Sequence, residues 1–388
     1  MLRVILLTDF SEAYAQNLLR GIIRYSKHHE PWVVCKMPFS YRVEHAVEGV
    51  LAWAKEWKAD GIIAQFYNTD NVSIFREHGI AAIAQDFKAR FCEIPNITGA
   101  HHETGRIGAD YFIRKGFKNF AFYGFKDIVW SSERCEGFLC ELRQHGLDGR
   151  FYEYRNTDFN KLWYYESAPL VEWLKRLPKP VALMACDDNQ GHHIAELCQQ
   201  CGIKIPEEIA LLGVDNDEAV CNLSDPPLSS INQAVEKGGY EAAQLMEQMI
   251  KRPDIRHDDV VVVPTHVITR QSTDIYATTD KHISMVLRHI HQHTDRAFRI
   301  KELMQLIPLS RRPLETRFRQ EIGMSIYTYV TNLRIERFTR RLLESKSSIA
   351  DIVEEMGFSN YKNIARLFKK VKGCTPSQFR RQNLLKRR

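Results

Sequence analysis

Residues 181–214 read VALMACDDNQGHHIAELCQQCGIKIPEEIALLGV. An unbroken apolar run, Val181–Ala185, opens the segment and a second, Ile209–Val214, closes it. Between them, residues 190–200 repeat apolar positions at the 3.6 period of an amphipathic helix. Apolar strand, helix, apolar strand is a βαβ unit. A strand that is apolar at every position is covered on both faces, so the sheet is parallel with helices packed on either side.

Working outward, the same alternation fills the first ~275 residues. Apolar runs at 4–8, 33–36, 61–65, 81–84 and 120–123 predict further strands. Amphipathic stretches at 14–28, 105–115 and 132–145 predict helices between them. The class is α/β. In open parallel sheets a ligand sits at the carboxyl ends of the strands. Acidic residues recur there: Asp9 after the first run, Asp86 after IAAIAQ, Asp187 and Asp188 after VALMAC, Asp215 after ALLGV. Each could bind sugar hydroxyls, hold a cation or cap the next helix, Asp being a favoured N-cap. Four strand ends converging on one crevice favour a polar ligand.

Catalytic patterns are missing. The chain has no GxGxxG, no phosphate loop of the GxxxxGK type and no GxSxG. His101 and His102 are adjacent without a nucleophile, so no enzyme is expected. The nine cysteines are scattered, as suits free thiols in a reducing cytoplasm. Cys198 and Cys201 form one CxxC inside a helical stretch without a second pair, and His289, His291 and His293 read as the exposed end of a helix. Neither group completes a four-ligand zinc site, so no metal and no cofactor are expected. The apolar run at residues 4–7 is too short for a signal peptide or a membrane span. The expected location is the cytoplasm, with no membrane partner.

The tail differs in charge. Residues 281–388 carry 24 Lys and Arg against 9 Asp and Glu, a net of +15, whereas residues 1–280 carry 30 against 39, a net of −9. A basic module on an acidic one predicts a polyanion partner for the tail. The polar stretch RQSTDIYATTD at 270–280 reads as the connection. The domains are set at 1–275 and 282–388, with the linker at 276–281.

Two helix-turn-helix patterns follow. In the first, IKELMQLIPL gives a short helix. Ser310 caps the next, which buries Leu314 and Phe318 and tolerates Pro313 in its first turn. A long helix over 325–345 shows Val330, Leu333, Phe338, Leu342 and Leu343 on its apolar side. In the second pattern, Ile349, Ile352, Val353 and Met356 form one helix and Gly357 supplies the turn. Ser359 caps a helix that buries Ile364, Leu367 and Phe368. The second helix of such a pair enters the major groove of DNA. Two copies within a strongly basic region predict an all-α DNA-binding domain.

Residues 181–250, together with VVVVPTHVITRQST and the earlier ITGAHHETGRIGADYFIRKGFKNFAFYGF, resemble the lactose-repressor-type regulators. These share the two-lobed fold of periplasmic sugar-binding proteins. By that resemblance the sugar contacts fall on Asp86, Arg134, Asp187, Asp215 and Gln233, with Asp9, Phe10 and Tyr14 lining the cleft after the first strand. Where many members have Asn before the strand-end Asp, this chain has Asp187, and an added carboxylate favours a neutral, hydroxyl-rich ligand.

LSRRPLETRFRQEIGMS, LRIERFTRRLLESKSSIADIVEEMGFSN and FKKVKGCTPSQFR resemble the AraC/XylS family of transcription regulators. The resemblance implies DNA contacts from Arg311, Arg312, Glu315 and Thr316 on the first reading helix. On the second it implies Tyr361, Lys362, Asn363 and Arg366. Thr316 stands where a basic residue is usual. Lys369, Lys370, Lys372, Lys386, Arg387 and Arg388 read as attracting phosphate rather than reading bases.

A lactose-repressor-type sensor ahead of an AraC-type tail resembles a narrower group of bacterial sugar-operon regulators. This implies an activator of pentose-catabolism genes with D-xylose as effector, acting as a homodimer at promoter half-sites and partnering RNA polymerase. A repressor, a response to another sugar, and an α/β enzyme with a DNA-binding tail are the alternatives.

Overall fold

A computed structural model describes residues 1–388 except 30, 87, 89, 127, 157–166, 254, 256, 276, 277, 279, 294–299, 346, 359, 360 and 386–388. The chain divides into two compact units, Met1–Thr273 and Asp274–Arg388.

The first unit begins with β1 (Leu2–Thr8), α1 (Ala13–His28), β2 (Trp32–Pro38), α2 (Phe39–Glu56), β3 (Gly61–Ala64), α3 (Ser73–Glu77), β4 (Ala81–Gln85) and β5 (Asn96–Gly99). It continues with α4 (His101–Arg114), β6 (Phe120–Phe125), α5 (Val129–Gln144), β7 (Phe151–Asn156), α6 (Ser167–Arg176), β8 (Val181–Ala185), α7 (Asp188–Cys201), β9 (Ile209–Val214), α8 (Glu218–Leu223) and β10 (Ser229–Gln233). Helix α9 (Val235–Lys251) and strands β11 (Val260–Val262) and β12 (Pro264–Ile268) complete it.

These strands make two six-stranded sheets, ordered β11-β5-β4-β3-β1-β2 and β12-β10-β9-β8-β6-β7. The pairings are parallel except that β12 runs antiparallel to β10. Each sheet is the centre of one lobe. Strands β3, β6, β8 and β9 are buried at every position, as apolar strands covered on both faces must be. Val4, Leu6, Ile22 and Met246 share one core of the first lobe, while Ile5, Val50, Ile62 and Phe75 share the other across the sheet.

The chain passes between the lobes three times: after β5, after β10 and after β11. Backbone bonds tie the crossings together, Ala100 N–H to Val262 O at 2.8 Å and Ala234 N–H to Val263 O at 2.9 Å.

Helices α4 and α5 touch backbone to backbone. A Cβ on Gly105 would lie 1.9 Å from the Arg134 carbonyl oxygen, and one on Gly137 1.9 Å from that of His102. Only glycine permits this approach. It fixes α5, and the side chains of Glu133 and Arg134, against the helix that begins at the first crossing.

The second unit is helical: α10 (Lys281–Gln292), α11 (Ile300–Leu306), α12 (Arg311–Ile322), α13 (Ile326–Glu344), α14 (Ile349–Glu355), α15 (Tyr361–Lys372) and α16 (Pro376–Leu385). It has two cores. Ile283, Val286, Leu303, Leu314, Phe318 and Ile326 form one; Ile335, Phe338, Ile352, Ile364 and Phe368 form the other. The long helix α13 supplies both, its first half to one and its second half to the other.

Caps set the helix starts. The Asp280 carboxylate accepts from His282 N–H at 2.9 Å, the Ser325 hydroxyl from Thr328 N–H at 3.1 Å, and Ser348 and Asp351 make a reciprocal capping box. Ser310 occupies the N-cap of α12, but its side chain makes no capping bond. The expected cap at Ser359 lies outside the described residues. The carboxyl end of α13 is satisfied by Arg380, whose guanidinium donates to the carbonyls of Leu342, Ser345 and Ser347 at 3.0, 3.0 and 2.8 Å. His289 and His293 stand at the end of α10, but both are half-buried and their rings stack with centroids 4.1 Å apart rather than standing exposed.

Candidate ligand cleft and nucleic-acid interface

The first unit gathers its sequence-predicted side chains at strand ends of both lobes. In the second lobe, Arg134 rises from α5 and donates to the Cys186 carbonyl and, at 3.2 Å, to Asp215 Oδ1. Gln233, at the end of β10, donates to the same Asp215 oxygen. Asp215 follows β9 with φ at 96°, a left-handed conformation that Asp tolerates better than most residues. The three form one hydrogen-bonded group. Arg134 is nearly buried, its side chain 4% exposed, and its guanidinium carbon lies 5.0 Å from the centre of the Trp130 ring. Arg134 Nε and Gln233 Oε1 are buried without a hydrogen-bond partner.

Asp187 caps α7, accepting from Gln190 N–H at 2.7 Å. One oxygen thus serves the helix. Burial, with Asp215 adding to it, pushes the Asp187 carboxyl up to about 6. Asp188 is buried, accepts from Asp217 N–H at 2.7 Å, and is held well above the usual carboxylate range by burial.

In the first lobe, Asp86 follows β4. It accepts from Thr98 and His101, the latter at 3.1 Å, and its Oδ1 has no hydrogen-bond partner. His101, the first residue of α4, is buried, and desolvation pulls it below the ordinary imidazole range. Asp9 accepts from Ser11 N–H at 2.9 Å and turns the chain into α1. Phe10 is partly buried, with Lys36 Nζ 4.4 Å from its ring centre.

Tyr14 shows that the lobes share a site. Its phenol is pushed up by burial, then by the charges of Asp86 and Asp215, against the opposing effect of Arg134. Asp86 belongs to the first lobe and Asp215 and Arg134 to the second, so the phenol feels the charges of both. Glu12, absent from the sequence reading, belongs to the same group. The surrounding atoms and the carboxylates of Asp187, Asp9 and Asp215 push it up to about 7, although part of the side chain stays exposed. Its Oε2 accepts from Asn189 Nδ2 at 3.1 Å, a bond between lobes. Nothing in the spacing around Glu12 marks it; only the folded juxtaposition of α1 and α7 does.

The chemistry of this set is specific. Carboxylates accept hydrogen bonds, an Arg fork and a Gln donate them, and Tyr14, Phe10 and Trp130 offer flat apolar surface. Among the side chains of this group the carboxylates outnumber the buried cation Arg134. Such a crevice suits a neutral polyol and repels phosphorylated or acidic sugars.

In the second unit, Leu314 and Phe318 on α12 and Ile364 and Phe368 on α15 face the cores with at most 1% exposure. The opposite faces are basic. On α12, Arg311, Arg312 and Thr316 are exposed; Glu315, expected to project fully, is partly covered because it borders Leu314 and the core. On α15, Tyr361, Lys362, Asn363 and Arg366 are all exposed, with Lys369 and Lys370 further along. Two short helices each precede one of these, across Gly357 at φ 61° in the second case. Lys386, Arg387 and Arg388 lie outside the described residues.

Residues 109–273 match the family described as periplasmic binding protein-like domain, and residues 303–382 that described as helix-turn-helix domain. The xylose operon regulatory protein of Escherichia coli (strain K12) is 25% identical over 390 residues, spanning 98% of this chain and 97% of its own. That of Haemophilus influenzae is 26% identical, spanning 97% and 98%. A solved structure of a xylose-binding transcription activator matches over 97% of each chain with a TM-score of 0.61 at 24% identity, which shows a shared fold. These relatives are transcription regulators, not enzymes. Among the described residues no group of three or more His, Cys, Asp or Glu could hold a metal, and no helix is long and apolar enough to cross a membrane.

Proposed function

We infer that this chain is a sugar-responsive, DNA-binding transcription activator, and that D-xylose is its effector. The observation that carries the reading is the 3.1 Å hydrogen bond from Asn189 to Glu12, which brings the start of α1, next to Asp9, Phe10 and Tyr14, against the second lobe's strand end at Asp187. The sugar contacts are assigned to Asp9, Phe10, Tyr14, Asp86, Arg134, Asp187, Asp215 and Gln233. D-Xylose, rather than another neutral sugar, is supported by the names of the full-length relatives.

A ligand held by both lobes binds the closed arrangement more tightly than the open one, so it shifts the population toward closure. The protein acts as a homodimer, in which closure changes how the paired DNA-binding units are presented. Arg311, Arg312, Glu315 and Thr316 on α12 and Tyr361, Lys362, Asn363 and Arg366 on α15 read two successive major-groove segments. The bound regulator then recruits RNA polymerase in the cytoplasm. The domains run 1–275 and 282–388, joined at 276–281.

A gel-shift titration on the promoter of a xylose-catabolism operon tests this. D-Xylose raises DNA affinity or changes the footprint of the complex. Identical affinity and footprint with and without sugar refute the switch.

A further inference from the structure

Besides the Asn189–Glu12 bond, a second side-chain contact crosses between the lobes. Arg90, in the connection after β4, donates from both terminal nitrogens to the two carboxylate oxygens of Glu133 on α5, each at 2.7 Å. Arg90 belongs to the first lobe and Glu133 to the second. The Arg90 Nε donates to Thr98 on β5 at 2.9 Å, which holds the fork in place before it meets its partner. Arg90 also faces Asp86, with Nε 3.6 Å from Oδ1.

We propose that the Arg90–Glu133 pair is the latch that holds the sensor closed, and that Arg90 links it to the ligand through Asp86. The proposal rests on the sugar-binding reading of the cleft.

An exposed ion pair ordinarily contributes little, since water screens it and two flexible side chains must be ordered. This pair departs from that case in three respects. It is bidentate, which adds directional hydrogen bonds to charge attraction. The side chains are 31% and 29% exposed, so screening is incomplete. Thr98 already fixes the guanidinium, so less side-chain freedom is lost on closing.

Its position excludes a purely local role. Neither lobe needs the pair to fold, because each has its own sheet and cores. What the pair constrains is the angle between lobes joined by three chain crossings. Glu133 is followed by Arg134, so adjacent positions on α5 serve the latch and the ligand. On the other lobe, Asp86 Oδ1 has the Arg90 charge nearby but no hydrogen bond. A sugar hydroxyl donating to that oxygen would complete it and hold Asp86 in the position that Arg90 faces. Ligand and latch therefore stabilise the same closed arrangement, and each strengthens the other.

The test uses the full chain with spin labels carried by non-canonical residues at exposed Lys55 on α2 and Gln200 on α7, one on each lobe. Pulsed electron resonance reports the inter-lobe distance, and calorimetry reports D-xylose affinity. Glu133→Gln, which keeps the shape and removes the charge, widens the distance distribution and weakens D-xylose binding about tenfold. Glu133→Asp falls between wild type and Glu133→Gln, and Glu133→Lys opens the lobes furthest. Raising the salt concentration weakens sugar binding by the wild type but not by Glu133→Gln, a difference that a merely packed side chain would not produce. Unchanged thermal midpoints of the sugar-free variants confirm folding. Equal distance distributions in wild type and Glu133→Gln, with and without D-xylose, overturn the latch. A wild type that takes up no sugar overturns the sugar reading instead, while the distances still decide the latch.

Discussion

Arg134 Nη2 stands 3.2 Å from Asp215 Oδ1, and Gln233 donates to the same oxygen. The cation is buried, so Asp215 has two roles: it neutralises Arg134 and it presents an acceptor to the cleft. Asp215→Asn keeps the side-chain shape, and Asn tolerates the left-handed backbone at this position. The substitution leaves Arg134 without its counter-charge, which costs about 3 kcal/mol of stability in the first unit. Sugar affinity falls about a hundredfold, as for loss of a charge-assisted hydrogen bond. Calorimetry and thermal unfolding of the same preparation measure the two effects.

Glu12 gives a pH dependence with a definite sign. Its carboxyl is pushed up to about 7 from 4.5 by the surrounding atoms and by Asp187, Asp9 and Asp215. The folded form therefore holds a proton that the unfolded chain has released between those values, and stability falls as pH rises through that window. Asp187, pushed up to about 6, acts in the same direction over a narrower range. In the contribution from these groups, the thermal midpoint of the sugar-free protein is higher at about pH 4.5 than at about pH 7, the two ends of the Glu12 window. Glu12→Gln flattens the difference. A variant whose midpoint varies with pH as much as the wild type's contradicts the assignment.

The second reading helix separates base reading from phosphate attraction. Arg366 and Asn363 are exposed on the face of α15 opposite Ile364 and Phe368. Arg366→Ala costs about 1–3 kcal/mol on the preferred operator and little on random DNA. Lys370→Ala weakens binding to both alike and lowers the slope of log affinity against log salt by about one. Equal losses on both DNAs for Arg366→Ala would place it with the phosphate contacts.

Arg380 closes the end of α13 with three hydrogen bonds to carbonyl oxygens. Arg380→Met leaves those carbonyls without a donor and costs about 1–3 kcal/mol in the second unit. Differential scanning calorimetry of the full chain registers a lower transition for that unit and none of the change in the first. D-Xylose binding is unaltered.

The strands legible in the sequence were those that are apolar throughout, such as β8 and β9, because burial on both faces leaves an unbroken run. The edge strand β7, FYEYRN, has no fully buried position, with Tyr152, Glu153 and Arg155 exposed, and it pairs with a strand on one side alone. Strand β10, SSINQ, is buried yet polar, its Ser229 hydroxyl donating to Arg270 O at 3.0 Å. Neither carries the apolar signal. In the cleft, Asp86, Asp187 and Asp215 were legible because the end of a parallel strand is a predictable place. Glu12, Arg90 and Glu133 were not, since their meaning arises from pairing with residues of the other lobe. In the tail, the period of Leu314 and Phe318, and of Ile364 and Phe368, fixed which faces remain outward.

Isothermal titration calorimetry of the full chain with D-xylose, beside L-arabinose, D-ribose and D-glucose, tests the central claim most directly. The account predicts saturable one-to-one heat with D-xylose that Asp215→Asn largely removes. Silence with all four sugars would contradict the sugar-binding reading, and saturation by a different one alone would contradict the choice of D-xylose.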